Sequence, residues 1–486
     1  MKNPLSHPTE AVGSGEDVLA GGTHGTRKRR RPKKLILSAA TAFALMIGAG
    51  GAWATTILDG DYGDPQERLP ETTAAFATLD FGVSDEQREQ ALDLVAKFPE
   101  TGIGDEPQEA VMSFLELLET GNQDFADGKF TSWLGPSASI AMWQHQDTPY
   151  ALATVPSVDD DAANDGLKAL QEANGIDQIG FTLNDGYATI AFGEQDAQAA
   201  AEAASAEAEE APLAESDTYA EAYEFLGEDQ ILTAWADLEQ ANAILKEGIP
   251  EQFQADIPFD LADIPDNLMQ GQVAFGAKAQ EFGIEGVSHT FGAENVPDGK
   301  DGMLDQLSTV PESDIAGVLA VPEDAKDSVA LFILNELLGM NTELDNIFLD
   351  KLFDMMSGTS GAIGVSGIVE GVPTGQGSLD VNSPTRAHAL KALLDLAGPA
   401  LDTSLDGTVV SASTPGYGDR PALSENPYYA EAVGGAPENL NGAVFFDIQK
   451  LLPAEAKVPF SALKAGAITL GNDGGESVGN YRLIID

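Results

Sequence analysis

The chain repeats itself at long range, and this limits its fold more than any other feature. Leu69-Pro70-Glu71-Thr72 opens an apolar run that closes near Leu79-Asp80, and Val310-Pro311-Glu312-Ser313 opens a second that closes near Ala320-Val321. Amphipathic helix patterns follow each, over residues 85–98 and 107–118 in the first copy and 324–338 and 344–356 in the second. Residues 135–142 then match 358–365. At the same offset Leu167-Lys168-Ala169-Leu170 with Gly175 recurs as Leu390-Lys391-Ala392-Leu393 with Gly398, each a helix closing on a glycine. Asp185-Gly186 and Asp406-Gly407 sit between apolar runs, as hairpin turns do. Tyr219-Ala220-Glu221-Ala222 returns as Tyr429-Ala430-Glu431-Ala432, leading into Trp235-Ala236-Asp237-Leu238 and Phe445-Phe446-Asp447-Ile448. Each copy ends on two strands around a turn, residues 271–291 and 466–485. Chance matches do not stay collinear, so the chain reads as an internal duplication.

The fold class expected is α+β: two tandem copies of one unit with largely antiparallel sheets and helices, after a single N-terminal transmembrane helix. The first repeat spans residues 69–306 and the second 307–486; one body or two domains are equally compatible with the pattern. Residues 197–212 form an Ala/Glu run that lengthens the first copy. It reads as a solvated helix or a tether.

Residues 35–56 contain no charge, and 22 residues at ~1.5 Å rise make about 33 Å of helix, enough for a ~30 Å hydrocarbon core. Seven basic residues in 27–34 precede it, which keeps residues 1–34, a tail without hydrophobic periodicity, in the cytoplasm and sends the acidic remainder outside. The expected location is therefore the cell membrane, single-pass, with an extracytoplasmic ectodomain. The alternative is a secreted protein cut after Ala54, since Ala52-Trp53-Ala54 has a signal-peptidase form; the length of the apolar run favours the anchor. Ala40, Ala44, Gly48 and Ala52 recur every four residues, a spacing that would permit a homodimer within the bilayer, although an Ala/Gly-rich segment produces such ladders easily. Residues 57–68 are a polar linker; Asp59, Asp61 and Asp64 lack the glycine and distal glutamate of a calcium loop.

Charge narrows the partners. Of 25 basic and 79 acidic residues, eight and three lie in residues 1–34, which leaves 17 and 76, a net of −59, on residues 35–486. Such a body repels nucleic acid. With no cysteine, disulfides, thiolate metal sites and cysteine nucleophiles are excluded, and an exported chain of this size must rely on core packing, as bacterial ones do.

On these motifs the layout resembles an actinobacterial family of membrane-anchored proteins, the domain of unknown function 3352 family. The residues that carry the resemblance are the basic tail and anchor, Leu69-Pro70 through Leu79-Asp80, and Asp85 with Lys97-Phe98-Pro99. Trp133-Leu134-Gly135, Asp185-Gly186-Tyr187 and Trp235-Ala236-Asp237-Leu238 add to them. Phe81-Gly82-Val83-Ser84 stands where members carry an Asp-Pro-Ser-like segment. The resemblance implies no activity, and no functional residue is carried over from it.

Chemistry-bearing patterns are sparse. His145, His289 and His388 are far apart in sequence and lack metal-ligand spacing. Gly358-Thr359-Ser360-Gly361 and Gly364-Val365-Ser366-Gly367 are neither nucleophile elbows nor phosphate loops. Ser461-Ala462-Leu463-Lys464 has S-x-x-K form without its partner motifs, and Asp159-Asp160-Asp161 is a solvated loop without a spaced ligand set. Hence no catalytic, cofactor-binding or metal-binding residue is assigned and no cofactor is expected. Carboxylate pairs are too abundant to single one out. Residues 329–340 and 347–356 are apolar on most faces, as in a buried helix pair or, with Met340, Met355 and Met356, an adaptable pocket lining. The function expected is a non-catalytic binding protein of the cell envelope, for a protein or an apolar ligand. The alternatives are a carboxylate-based hydrolase of envelope polymers and a structural or cation-binding spacer.

Overall fold

A computed structural model describes residues 65–98, 132–193, 195–248, 270–292, 298–321, 358–368, 373–454 and 456–486. The first half supplies β1 (Ala75–Asp80), β2 (Ser137–His145), β3 (Thr148–Pro156), β4 (Ile179–Asn184), β5 (Tyr187–Phe192), β6 (Leu232–Asp237), β7 (Gln272–Gln280) and β8 (Gly283–Phe291). The second supplies β9 (Ile315–Ala320), β10 (Ser360–Ser366), β11 (Thr374–Asp380), β12 (Asp402–Asp406), β13 (Val409–Ser413), β14 (Leu440–Asp447), β15 (Leu463–Asp473) and β16 (Glu476–Ile485).

All sixteen join one antiparallel sheet in the order β12-β13-β11-β10-β9-β14-β15-β16-β8-β7-β6-β1-β2-β3-β5-β4. Outward from the β16·β8 seam, both directions run through the same connections. The matching hydrogen bonds are also present: Ala74 N donates to Met142 O where Asp314 N donates to Val365 O, and Asp237 N to Ala74 O where Asp447 N donates to Asp314 O.

This corrects the expected α+β fold of two tandem copies with largely antiparallel sheets and helices: one large antiparallel sheet, with few helices, runs through both halves. The physical reason lies in the terminal hairpins. Strands β8 and β16 each end a half with a free row of N–H and C=O groups, and an unpaired edge seeks another strand. The two edges satisfy each other from Ser477↔Thr290 to Ile484↔Gly283. No local sequence signal announces a pairing between strands nearly 200 residues apart. The expected transmembrane segment, its Ala40/Ala44/Gly48/Ala52 ladder and the apolar pair 329–356 lie outside the described residues. No helix among the described residues is long and apolar enough to cross a membrane.

Nine helices among the described residues flank the sheet: α1 (Asp85–Ala96), α2 (Asp160–Asn174), α3 (Ala197–Glu210), α4 (Asp217–Leu226), α5 (Leu238–Gly248), α6 (Met303–Ser308), α7 (Pro384–Leu394), α8 (Tyr429–Ala432) and α9 (Ile448–Leu451). On one face α3 and α4 close a core around Phe76, Trp143, Tyr219 and Trp235, and α6 and α8 close another around Val318, Tyr429 and Phe445. On the opposite face α1 and α2 bury Leu79, Leu94, Val155 and Leu167. That core runs across the seam to include Ile284, Leu463 and Ile485.

Helix α3 departs from its expected role as a solvated helix or tether. Ala197, Ala200, Ala201, Ala204 and Ala208 are buried, because alanines at helical spacing let a backbone approach a sheet closely. Gly180 in β4 makes room for that approach, since a Cβ there would collide with the Ala197 carbonyl.

Candidate functional site

The chemistry in each half gathers where its first strand begins. In the first half Thr72 is the hub. Trp143 Nε1 donates to Thr72 Oγ1 at 2.9 Å, and Thr72 Oγ1 donates to Glu207 Oε2 at 3.5 Å. The other Glu207 oxygen lies 3.7 Å from His145 Nδ1, and the His145 ring stacks on Trp143 at 5.3 Å. A hydroxyl, an imidazole and a carboxylate are thus assembled from β2, α3 and the segment before β1. Their order is wrong for nucleophile activation, because the carboxylate stands between hydroxyl and imidazole, whereas the base must itself reach the nucleophile.

In the second half the equivalent place is built differently. Ser366, at the end of β10, occupies the position of Trp143, and Tyr417 stands beside it. The Tyr417 hydroxyl lies 2.6 Å from Ser313 Oγ and 3.3 Å from Ser366 Oγ. Ser366 Oγ also accepts from Asp314 N at 3.2 Å and from Arg420 Nη1 at 2.8 Å. A serine oxygen that accepts from a guanidinium and a backbone amide is a poor nucleophile; Ser366 here organises its neighbours. The segment carrying Tyr417 and Arg420 is pinned to residues 310–312, with Glu312 N donating to Pro421 O and Leu423 N to Val310 O.

Charged groups complete this second cluster. Lys450 Nζ lies 2.6 Å from Glu312 Oε1 and 3.0 Å from Asp447 Oδ2. Burial works against the Lys450 charge, but hydrogen bonds to Glu312 and Asp447, together with their charges, outweigh it and raise its pKa above the ordinary lysine value. Asp314, nearly buried, accepts from Gly367 N at 2.8 Å.

An apolar surface forms the third feature. On the face where α1 covers the first half, the second half presents Ile363, Val444 and Ile468 in one cross-strand row and Leu319 and Leu470 in the next. Ile363 is 55% exposed, Leu470 40% and Leu319 36%, whereas Leu79, the counterpart of Leu319, is 1% exposed beneath α1. Glycines lie between these side chains; Leu319 leans over Gly442, so the surface is shallow. By contrast, a half-open apolar pocket between α1 and the sheet, lined by Leu79, Phe81, Leu94 and Ile284, measures about 30 Å³, room for little more than one water.

The residues weighed in the sequence are dispersed. His289 lies at the seam, its Nε2 2.7 Å from Glu476 Oε2 without hydrogen-bond alignment, between the rings of Phe225 and Phe291. His388 lies on α7. Asp159 caps α2 by accepting from Ala162 N, and Asp160 and Asp161 fill its first turn, where the helix dipole favours acids. Lys464 Nζ donates to the Ser461 carbonyl, not to its hydroxyl. Among the described residues no three His, Asp or Glu side chains converge as a metal site. The Tyr417–Arg420 cluster was missed in sequence; the only signal was the departure from the first copy at Ser366 and Tyr417.

No protein-family model matches the chain, and no curated protein does. Among solved structures the chain is similar to crystal form I of TP0453, at 8% identity over 50% of this chain and 82% of that one, with a TM-score of 0.24. A likeness so slight carries no argument about fold or function.

Proposed function

We propose that the protein is a non-catalytic binding protein of the cell envelope, which takes an envelope protein or an apolar ligand on the sheet face of its second half that no described helix covers. The observation that supports this is the patch of Leu319, Ile363 and Leu470, exposed on three of the four consecutive strands β10, β9, β14 and β15, whereas Leu79, the counterpart of Leu319, is buried. Contiguous exposed apolar surface on a strongly charged body marks an interaction site. Single-pass anchoring by residues 35–56 and the kinship to the domain of unknown function 3352 family belong to the same proposal, resting on the sequence features given above.

The test replaces Leu319, Ile363 and Leu470 together by Glu in the full chain. Surface glutamates at exposed strand positions leave the fold intact by circular dichroism. Native mass spectrometry of protein extracted from its own membranes should find a bound lipid or protein on the wild type and none on the variant. Equal occupancy of both, or of neither, overturns the proposal.

A further inference from the structure

The second polar cluster holds an arginine in an unusual state for so acidic a chain. Arg68, Arg88 and Arg482 each lie within 4.0 Å of a carboxylate. Arg420 has no carboxylate partner among the described residues. Its guanidinium is held by neutral groups: Nη1 donates to Ser366 Oγ at 2.8 Å and to the Glu312 carbonyl at 3.3 Å, and the Tyr417 ring lies beneath it at 4.4 Å.

Three carboxylates of the cluster are engaged elsewhere. Glu312 and Asp447 face Lys450, and Asp314 faces the Gly367 amide. Both contacts of Arg420 use Nη1, so Nε and Nη2 keep their hydrogens without a partner among the described residues. Those two nitrogens form the edge of the fork that matches two oxygens of one planar acid or phosphate side by side. The residue is exposed, so the edge is reachable from solvent. Tyr417, buried and hydrogen-bonded to Ser313 and Ser366, cannot swing away. The guanidinium is therefore pre-positioned, which lowers the ordering cost of binding.

We propose that Arg420 is an oxyanion-recognition residue that takes a carboxylate or phosphate group of a ligand on its Nε–Nη2 edge, with Ser366 and Tyr417 as positioning residues. Long-range repulsion from the acidic body does not prevent this, since at physiological salt it is screened beyond about 8 Å, while the paired contact is short-range.

The experiment labels the full chain in detergent with [15N]arginine and follows the side-chain Nε–Hε signals. The Arg420 signal is assigned by its loss in Arg420→Gln. Inorganic phosphate and sodium acetate are titrated separately, against sodium chloride at matched ionic strength. The Arg420 signal should move along a saturating curve with phosphate, acetate or both, while the carboxylate-paired Arg482 stays still; the more effective anion identifies the chemical source. Ser366→Ala should weaken the effective anion about fivefold, as loss of one positioning hydrogen bond does. Because the titration is read on the wild type, it stands even where a variant folds poorly. A shift that chloride reproduces, or that all arginines share, overturns the proposal.

Discussion

Lys450 shows how a single side chain ties the second half together. It joins Glu312, before β9, to Asp447, at the end of β14, and Asp447 Oδ1 also accepts from Lys450 N. The first half places Gln240 there, whose Nε2 donates to the Thr72 carbonyl at 2.8 Å, so the strap persists while its chemistry changes. Because the folded pKa of Lys450 is raised, its stabilisation is complete below the unfolded lysine value and fades as pH climbs through the folded one. Partial exposure limits the effect. Lys450→Met should cost under ~1 kcal/mol, constant from about pH 6 to about pH 9 and shrinking above ~10.4. Urea midpoints of both proteins across that range check it; a gap that widens in alkali counts against the assignment. The strap was half legible: Trp235-Ala236-Asp237 and Phe445-Phe446-Asp447 stood out as equivalent strand ends, but nothing in sequence placed Glu312 opposite Lys450, 138 residues away.

At the scale of elements, the sheet must end somewhere, and its edges are guarded differently. Strand β12 carries Asp402 and Asp406, charges that discourage a further strand. Strand β4 has no charge, yet its outward groups at Ile179 and Phe181 are occupied. The Gln198 amide accepts from Phe181 N and donates to Phe181 O, in the manner of a neighbouring strand, and Gln171 Nε2 donates to the Ile179 carbonyl. Gln198→Ala should therefore leave a folded protein that self-associates with concentration. Sedimentation velocity at two concentrations decides; an unchanged monomer would show the cap to be dispensable. Elements were the level best read from sequence. The Asp185-Gly186 and Asp406-Gly407 turns join β4 to β5 and β12 to β13, with Asp185, Gly186 and Gly407 at positive φ as such turns require. The Ala/Glu run was misread because composition resembles a solvated helix, while its alanine stripe, at helical spacing, faces a sheet that sequence did not reveal.

For the whole molecule the question is whether two halves behave as one. The seam is bonded by backbone and locked by Arg482, whose Nε and Nη2 both donate to Glu285 Oε1 at 2.9 and 2.6 Å, with the Phe282 ring 4.7 Å below the guanidinium. The core beneath it contains residues of both halves. Thermal unfolding of the described body should accordingly be one transition. Arg482→Met strands a mostly buried Glu285, which costs about 3 kcal/mol, the lower end for broken buried pairs, and restoring apolar balance with Glu285→Leu should recover most of it. Calorimetry showing two wild-type transitions, or no loss in the single variant, would contradict this coupling. The mirrored strand order has another result. Seven antiparallel steps separate β1 from β9, so the two strands run oppositely and their starting points lie at opposite rims of the sheet. Pro65 O accepts from Thr154 Oγ1, and Thr154 faces Ser139, which faces Thr78, so the segment before β1 crosses the sheet from the Asp80 side toward Thr72. The two polar clusters, one at the start of each of these strands, therefore open on opposite rims, about 20 Å of strand apart, too far for one small ligand to touch both.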